Sequence, residues 1–226
     1  MSLPIPVVRL RWRAASRIVS TRFPSVAILD RLAEPGDVDA LLELDARTNP
    51  RLNERLGAIA AIPPAQRVTG PGASVVMAPF AHVNPAGSRF SDGRFGAFYA
   101  AHRVSTAVAE VCYHRERFLR ATHEPAQTLE LMLYEASVSG SVHDIRASAN
   151  RGWYDPNSYA RSQTLGARLH AAGSGGIVYR SVRDPRGQCV AVFRPRLVTS
   201  CRPVKPLFAH WDGSRITAVS ELLATT

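Results

Sequence analysis

The strongest constraint on the fold is a turn. Asp184-Pro185-Arg186-Gly187 separates two short apolar runs, Gly176 to Ser181 and Gln188 to Phe193. Proline at the second position and glycine at the fourth favour a tight reversal, so the runs are expected to pair as an antiparallel hairpin. Gln127 to Ser139 and Phe95 to Ala101 also read as strands, and Tyr159 to His170 as a helix closed by Gly173 and Gly175-Gly176. Ser105 is placed to cap a helix reaching about Leu119, with Ala107, Val108, Val111, Cys112, Phe118 and Leu119 on one face. Glu110 lies off that face, on the side of Thr106, His114 and Arg117. Short strands and helices without regular βα alternation predict an α+β class, a compact mixed sheet with flanking helices.

The first sixty residues read as a mostly helical lead-in. Asp37 is placed to cap a helix carrying Val38, Leu41, Leu42 and Leu44, Asn49-Pro50 stops it, and a segment from Leu52 to Ile62 ends at Pro63-Pro64. The chain therefore divides into an N-terminal extension over 1–64, a main domain over 65–200 and a C-terminal tail over 201–226 packed on that domain. With 226 residues and 46% hydrophobic content it can bury one good core.

Several function classes lose their markers. No apolar run reaches the roughly 18 residues that cross a bilayer, and no signal-peptide core follows Arg9, Arg11, Arg13 and Arg17, so a cytoplasmic protein is expected. Cys112, Cys189 and Cys201 are too widely spaced for a structural zinc site, and no metal is expected. The chain lacks GxGxxG, GxxxxGK[ST], HExxH and GxSxG. The net charge of +10 raises the alternative of a basic nucleic-acid-binding module, but 27 of the 28 basic residues are arginines scattered along the chain, with Lys205 the exception. No nucleic-acid-binding motif accompanies them, and direct binding is not expected.

What remains is a set of polar residues on special elements. Arg89 lies in the turn-rich loop Pro85 to Gly93, where a guanidinium can grip a pyrophosphate or simply be solvated. Tyr99 can stack on a flat ring or belong to the core. Glu110 can stabilise a cation or sit on the polar face of its helix. Ser181 can bind a substrate or end a strand. Spacing alone does not separate these alternatives.

Their order along the chain does more. Gly87-Ser88-Arg89-Phe90-Ser91-Asp92-Gly93, then Ala97-Phe98-Tyr99-Ala100-Ala101, then Thr106-Ala107-Val108-Ala109-Glu110-Val111, resemble the RES domain pattern of a Gly-Arg-aromatic loop, a tyrosine strand and an Ala-rich helix bearing a glutamate. Gly176-Ile177-Val178-Tyr179-Arg180-Ser181 and the run Gly187 to Phe193 resemble its serine strand and closing hairpin, and Arg67-Val68-Thr69-Gly70 its arginine-led opening segment. Phe90 and Ser91-Asp92 stand where members commonly carry Trp and Asn-Pro, and Gln188-Cys189 where an asparagine is frequent.

The resemblance implies a fold related to the ADP-ribosyltransferase toxins and a toxin that consumes NAD⁺, breaking its nicotinamide–ribose bond by phosphorolysis. NAD⁺ is then substrate and not cofactor, with inorganic phosphate as co-substrate and an antitoxin with an Xre-like helix-turn-helix domain as partner. Homo-oligomerisation stays open. On this reading Glu110, Arg67 and Tyr99 are catalytic, and Arg89, Phe90 and Ser181 bind NAD⁺ or phosphate. ADP-ribosylation of a protein target is the enzymatic alternative. Val108 stands two residues before Glu110, where such transferases often carry a second acid, which favours chemistry on free NAD⁺.

Overall fold

The computed structural model describes residues 5–21, 29–31, 34, 38 and 57–221. Among these residues seven strands are formed: β1 (Val7–Ser20), β2 (Phe98–Ala101), β3 (Gln127–Asp144), β4 (Gly176–Arg180), β5 (Gln188–Val192), β6 (Val198–Trp211) and β7 (Ile216–Glu221). Among the described residues the α-helices are α1 (Ala73–Ala81), α2 (Val104–Ala121) and α3 (Ala160–Ala171), with short 3₁₀ segments elsewhere along the chain. The sheet order is β1-β2-β5-β4-β3-β6-β7, and β1 also pairs with β3. Strands β1, β2, β5, β4 and β3 thus close into a ring, from which β6 and β7 continue along the other edge of β3. All pairs are antiparallel except β3 with β4, so the α+β class holds as a mixed sheet.

The predicted hairpin is present, with Tyr179 opposite Cys189 and Arg180 opposite Gln188. Its strands are apolar on both faces because both are covered. Phe98, Ala100, Val178, Val190 and Val192 face one core with Val75, Val76 and Phe80 of α1. Their alternate neighbours Ala101, Ile177, Tyr179, Cys189 and Ala191 face a second core with Ala107 of α2 and Leu165 and Leu169 of α3, and Tyr99 packs there too. The two-residue period of the strands therefore delivers Tyr99, Tyr179 and Cys189 to one side of the sheet.

Three expectations need correction. The stretch Val7 to Ser20, read as helical lead-in, is a strand paired with β3 from Val7–His143 to Ser20–Leu131. Its opening is an alternation: Leu10 and Trp12 are buried, while Arg9, Arg11 and Arg13 are exposed. That period of two specifies a half-buried strand and is hidden when only the arginines are counted. The tail over 201–226 begins inside β6 and continues into β7, so its described part extends the sheet. Ser105 is not the cap of α2. That helix starts at Val104 after Arg103, without a side-chain cap, and its first turn is instead held by Thr106, whose hydroxyl donates to Asp184 at 2.6 Å. The helix read from Asp37 to Leu44 lies outside the described residues apart from Val38, which is buried with Leu29, Ile59 and Met77.

Because Trp12 is buried in the core beside Phe98 and Val138, Trp12→Ala is expected to lower the unfolding free energy by about 3–5 kcal/mol. Arg13→Ala, exposed on the same strand, should change it by no more than about 0.5 kcal/mol. Urea denaturation of the two variants measures both, and equal midpoints would mean that β1 is not part of the core.

Candidate active site

A cavity of about 900 Å³ opens between α2, residues 16–18 of β1, strand β2, the loop 84–89, and the segment 157–163 that runs into the first turn of α3, within the size range of small-molecule sites. Tyr99, Arg89 and Glu110 line it, as do Arg17, His114, Arg115, Arg117, Tyr159 and Cys189. His114 and Arg117, which the helical spacing placed beside Glu110, do accompany it. Thr106 does not, being fully buried in its contact with Asp184.

Glu110 has a specific support. Its Oε1 accepts a 2.6 Å hydrogen bond from the Ser181 hydroxyl and a long one, 3.9 Å, from the Cys189 thiol. Burial, then the nearby Glu110 charge, push the Cys189 thiol far up, so it stays protonated. Among the described residues no cation forms an ion pair with Glu110. The Ser181 oxygen in turn accepts from the amides of Arg183 and Asp184, at 3.0 and 2.9 Å. With two backbone donors on its lone pairs and its one proton on Glu110, this hydroxyl has nothing left to give a substrate. It orients the carboxylate. Ser181 itself is buried and does not line the cavity.

Tyr99 likewise holds protein. Its hydroxyl accepts from the Phe90 amide at 3.0 Å and shares a 2.8 Å hydrogen bond with Ser88. Burial drives its pKa up to about 12, so it remains a neutral phenol that pins the arginine loop to β2. Phe90 is fully buried, edge-on to Tyr179 with centroids 4.8 Å apart, and lies outside the cavity lining. It anchors the loop. Gly166 of α3 rests against the Phe90 carbonyl so closely that a Cβ there would collide, which fixes loop to helix.

Arg89 is 6% exposed. Its Nη1 donates to the carbonyls of Asp155, at 3.0 Å, and Trp153, at 3.5 Å, and its guanidinium stacks on Tyr159, 4.5 Å from the ring centroid. The Nη1 face thus ties down the segment 153–159, while Nε and Nη2 are the donors left for a ligand. The same segment is held from the other side by Arg183, which donates to the Pro156 carbonyl while lying over the Tyr113 ring. His114 is shifted down by burial first, and also by Arg183, Arg89 and Arg117, against the opposing pull of Glu110. It is neutral at neutral pH, and the arginines carry the positive charge.

Arg67 is not brought to this cavity. It is buried near α1, where its Nε donates to the Ile62 carbonyl at 2.9 Å and its Nη2 to that of Ala60 at 3.4 Å. These bonds close the turn that leads into the main domain, a structural task. Besides Arg115 and Arg117 of α2, a guanidinium from outside the arginine loop that does reach the cavity is that of Arg17, on β1. Its Nη1 donates to the Tyr99 carbonyl at 2.9 Å, its plane lies 4.6 Å over Phe98, and burial lowers its pKa to about 10. Its Nε is buried with no partner among the described residues. The sequence marker was an arginine inside the apolar stretch Ala14 to Val19, where a solvated side chain has no place. Among the described residues no three His, Cys, Asp or Glu side chains gather as a metal site, and no helix is long and apolar enough to cross a membrane.

This geometry can be set beside known proteins. The chain is 30% identical over 208 residues to the uncharacterized protein y4oC of Sinorhizobium fredii, covering 89% of this chain and 84% of that one. A chain in the crystal structure of the M. tuberculosis MbcT–MbcA toxin–antitoxin complex aligns over 92% of this chain and 87% of its own, with 11% identity and a TM-score of 0.48. The RES domain model matches residues 64–212, a span that takes in the arginine loop, the tyrosine strand, the glutamate helix and the serine hairpin. The chain belongs to the RES domain family.

Proposed function

We propose that this cavity binds NAD⁺ and breaks its nicotinamide–ribose bond, passing ADP-ribose to inorganic phosphate. The observation that carries the reading is Glu110, a carboxylate without a cationic partner among the described residues, fixed by Ser181 in a cavity that Arg17, Arg89, Arg115 and Arg117 also line.

The bond that breaks joins the ribose C1 to the pyridinium nitrogen. Its electron pair stays with nicotinamide, which leaves neutral, and positive charge develops on the ribose carbon. A carboxylate held beside that carbon stabilises it, and the effect is large because the carboxylate is pre-oriented and unneutralised. A phosphate oxygen then bonds to the same carbon, giving ADP-ribose 1″-phosphate. The pyrophosphate and the incoming phosphate need fixed bidentate donors, for which the free edges of Arg17 and Arg89 are suited. Arg17 takes the part that the sequence pattern assigned to Arg67. The catalytic unit accordingly includes β1 as well as residues 65–200. NAD⁺ is the substrate in this scheme, so no cofactor is invoked. A cytoplasmic enzyme that drains NAD⁺ needs restraint, and an antitoxin with an Xre-like helix-turn-helix domain is the partner proposed for it.

Pure protein incubated with NAD⁺ should release nicotinamide, faster with phosphate than without. Equal rates would assign water as acceptor, label from NAD⁺ retained on a protein would assign ADP-ribosylation, and no release by folded protein would overturn the reading. Glu110→Gln should slow release about 10²–10³-fold.

Ser181→Ala should lower kcat about 10- to 100-fold, the worth of one hydrogen bond to a charged group, with KM little changed. A Ser181→Ala variant that raised KM alone would instead make the serine a substrate ligand.

Arg17 and Arg67 should separate cleanly. Arg17→Met is expected to raise KM for NAD⁺, whereas Arg67→Met should lower the melting temperature and leave KM and kcat of the folded enzyme near wild type. Thermal unfolding and steady-state kinetics on both variants check the assignment, and the reverse pattern would restore Arg67 to the site.

A further inference from the structure

The cavity is polarised along α2, and the geometry points to a base-stacking shelf at its outer end formed by Phe118 with Ile18 and Ala121. This rests on the NAD⁺ reading and assigns the direction in which the dinucleotide lies. Phe118 is 53% exposed, the one aromatic among the exposed large hydrophobic side chains of the described residues. A phenyl ring left in water forfeits the stabilisation of burial, yet this one lines the cavity together with Ile18, Val111 and Ala121. The lining brought by the loop 84–89 and the segment 157–163 is polar instead, with Asn84, Ser88, Arg89, Asn157, Ser158 and Gln163.

Helical geometry sets the spacing. Glu110, His114 and Phe118 follow one another at intervals of four, each turned about 40° from the last, and this winding row brings all three to the cavity although Phe118 starts the apolar face. Eight residues at about 1.5 Å rise put Phe118 about 12 Å along the axis from Glu110. Arg117, one residue before Phe118 and so just short of the ring on the axis, lines the cavity, and Arg17 reaches it from β1. Carboxylate, guanidinium and exposed ring thus occur in the order ribose, pyrophosphate, base. With the nicotinamide ribose at Glu110, the adenine end falls at the ring of Phe118, where a flat apolar face offers stacking without selecting a hydrogen-bonding edge. Adenine recognition on this shelf is therefore tolerant of the base and dependent on the aromatic ring.

The test compares NAD⁺ with nicotinamide mononucleotide, which has the scissile bond but no adenosine half, and adds titration with ADP-ribose. Phe118→Ala is expected to raise KM for NAD⁺ and the Kd for ADP-ribose roughly 10- to 100-fold, the usual loss when a base–aromatic stack is removed. Its kcat and its turnover of nicotinamide mononucleotide should stay unchanged, and Phe118→Trp should restore NAD⁺ binding. Because Phe118 is exposed, the melting temperature of the alanine variant should match wild type. An unchanged KM and Kd in Phe118→Ala would overturn the shelf, as would an equal loss with both substrates. ADP-ribose binding that depends on Phe118 in a protein that releases no nicotinamide would uphold the shelf and overturn the cleavage reading, so the two fail separately.

Discussion

The clasp between the hairpin turn and α2 is the constraint on which the rest of the site depends. Thr106 and Asp184 hold the first turn of α2, and Ser181 holds Glu110 one turn further on. The clasp has no slack: a Cβ on Gly187 would run into the Thr106 side chain, so a glycine is required where the turn passes the helix. Thr106 and the amide of Arg186 hold the Asp184 carboxyl below the usual range, which keeps it ionised and accepting across the physiological range. Both contacts come from residues 181–187, so turn and helix form one body. A carboxylate in a cavity with no cationic partner costs free energy to keep in place, and here one rigid hydroxyl supplies the support without neutralising the charge.

A second clasp, built on the same logic, fixes the arginine loop. Tyr99 reaches from β2 to the Phe90 amide and Ser88, Phe90 packs on Tyr179, and Gly166 lets α3 close against the loop backbone. Arg89 is left with one edge bonded to the 153–159 segment and the other free. Tyr99 and Ser181, polar residues that a motif reading assigns to substrate, are thus spent on positioning the charged pair, Arg89 and Glu110. That division is expected on energetic grounds. A guanidinium or carboxylate acts at a distance through charge, whereas a hydroxyl acts only along a fixed hydrogen bond.

This explains what was legible in the sequence. The hairpin was, because its turn residues and apolar runs are local. The membership of Glu110, Arg89 and Tyr99 in one cavity followed from the order of motifs, since each sits at a fixed offset from an element end. The role of β1 was obscured because its pairing with β3 spans more than a hundred residues, and because Arg9, Arg11 and Arg13 drew attention to charge when the alternating Leu10 and Trp12 carried the structural information. Arg67 lies outside the cavity for a related reason. An arginine shortly before the loop fits the motif order, but its hydrogen bonds to Ile62 and Ala60 are set by a 3₁₀ turn that no motif encodes.

Arg17 shows why the strand had to enter the sheet. A guanidinium buried over Phe98 with an unpartnered Nε is a costly arrangement for stability alone. Its remaining bond, to the Tyr99 carbonyl, ties it to the strand that also fixes the Arg89 loop. Two cations that approach the cavity from different parts of the chain are thereby registered to each other through a single residue of β2. Such registration suits a cavity that holds two anionic groups at a set distance, where the separation between donors matters as much as their charge. The net charge of +10, which by itself suggests only a basic surface, thus includes two arginines whose placement about the cavity is specific.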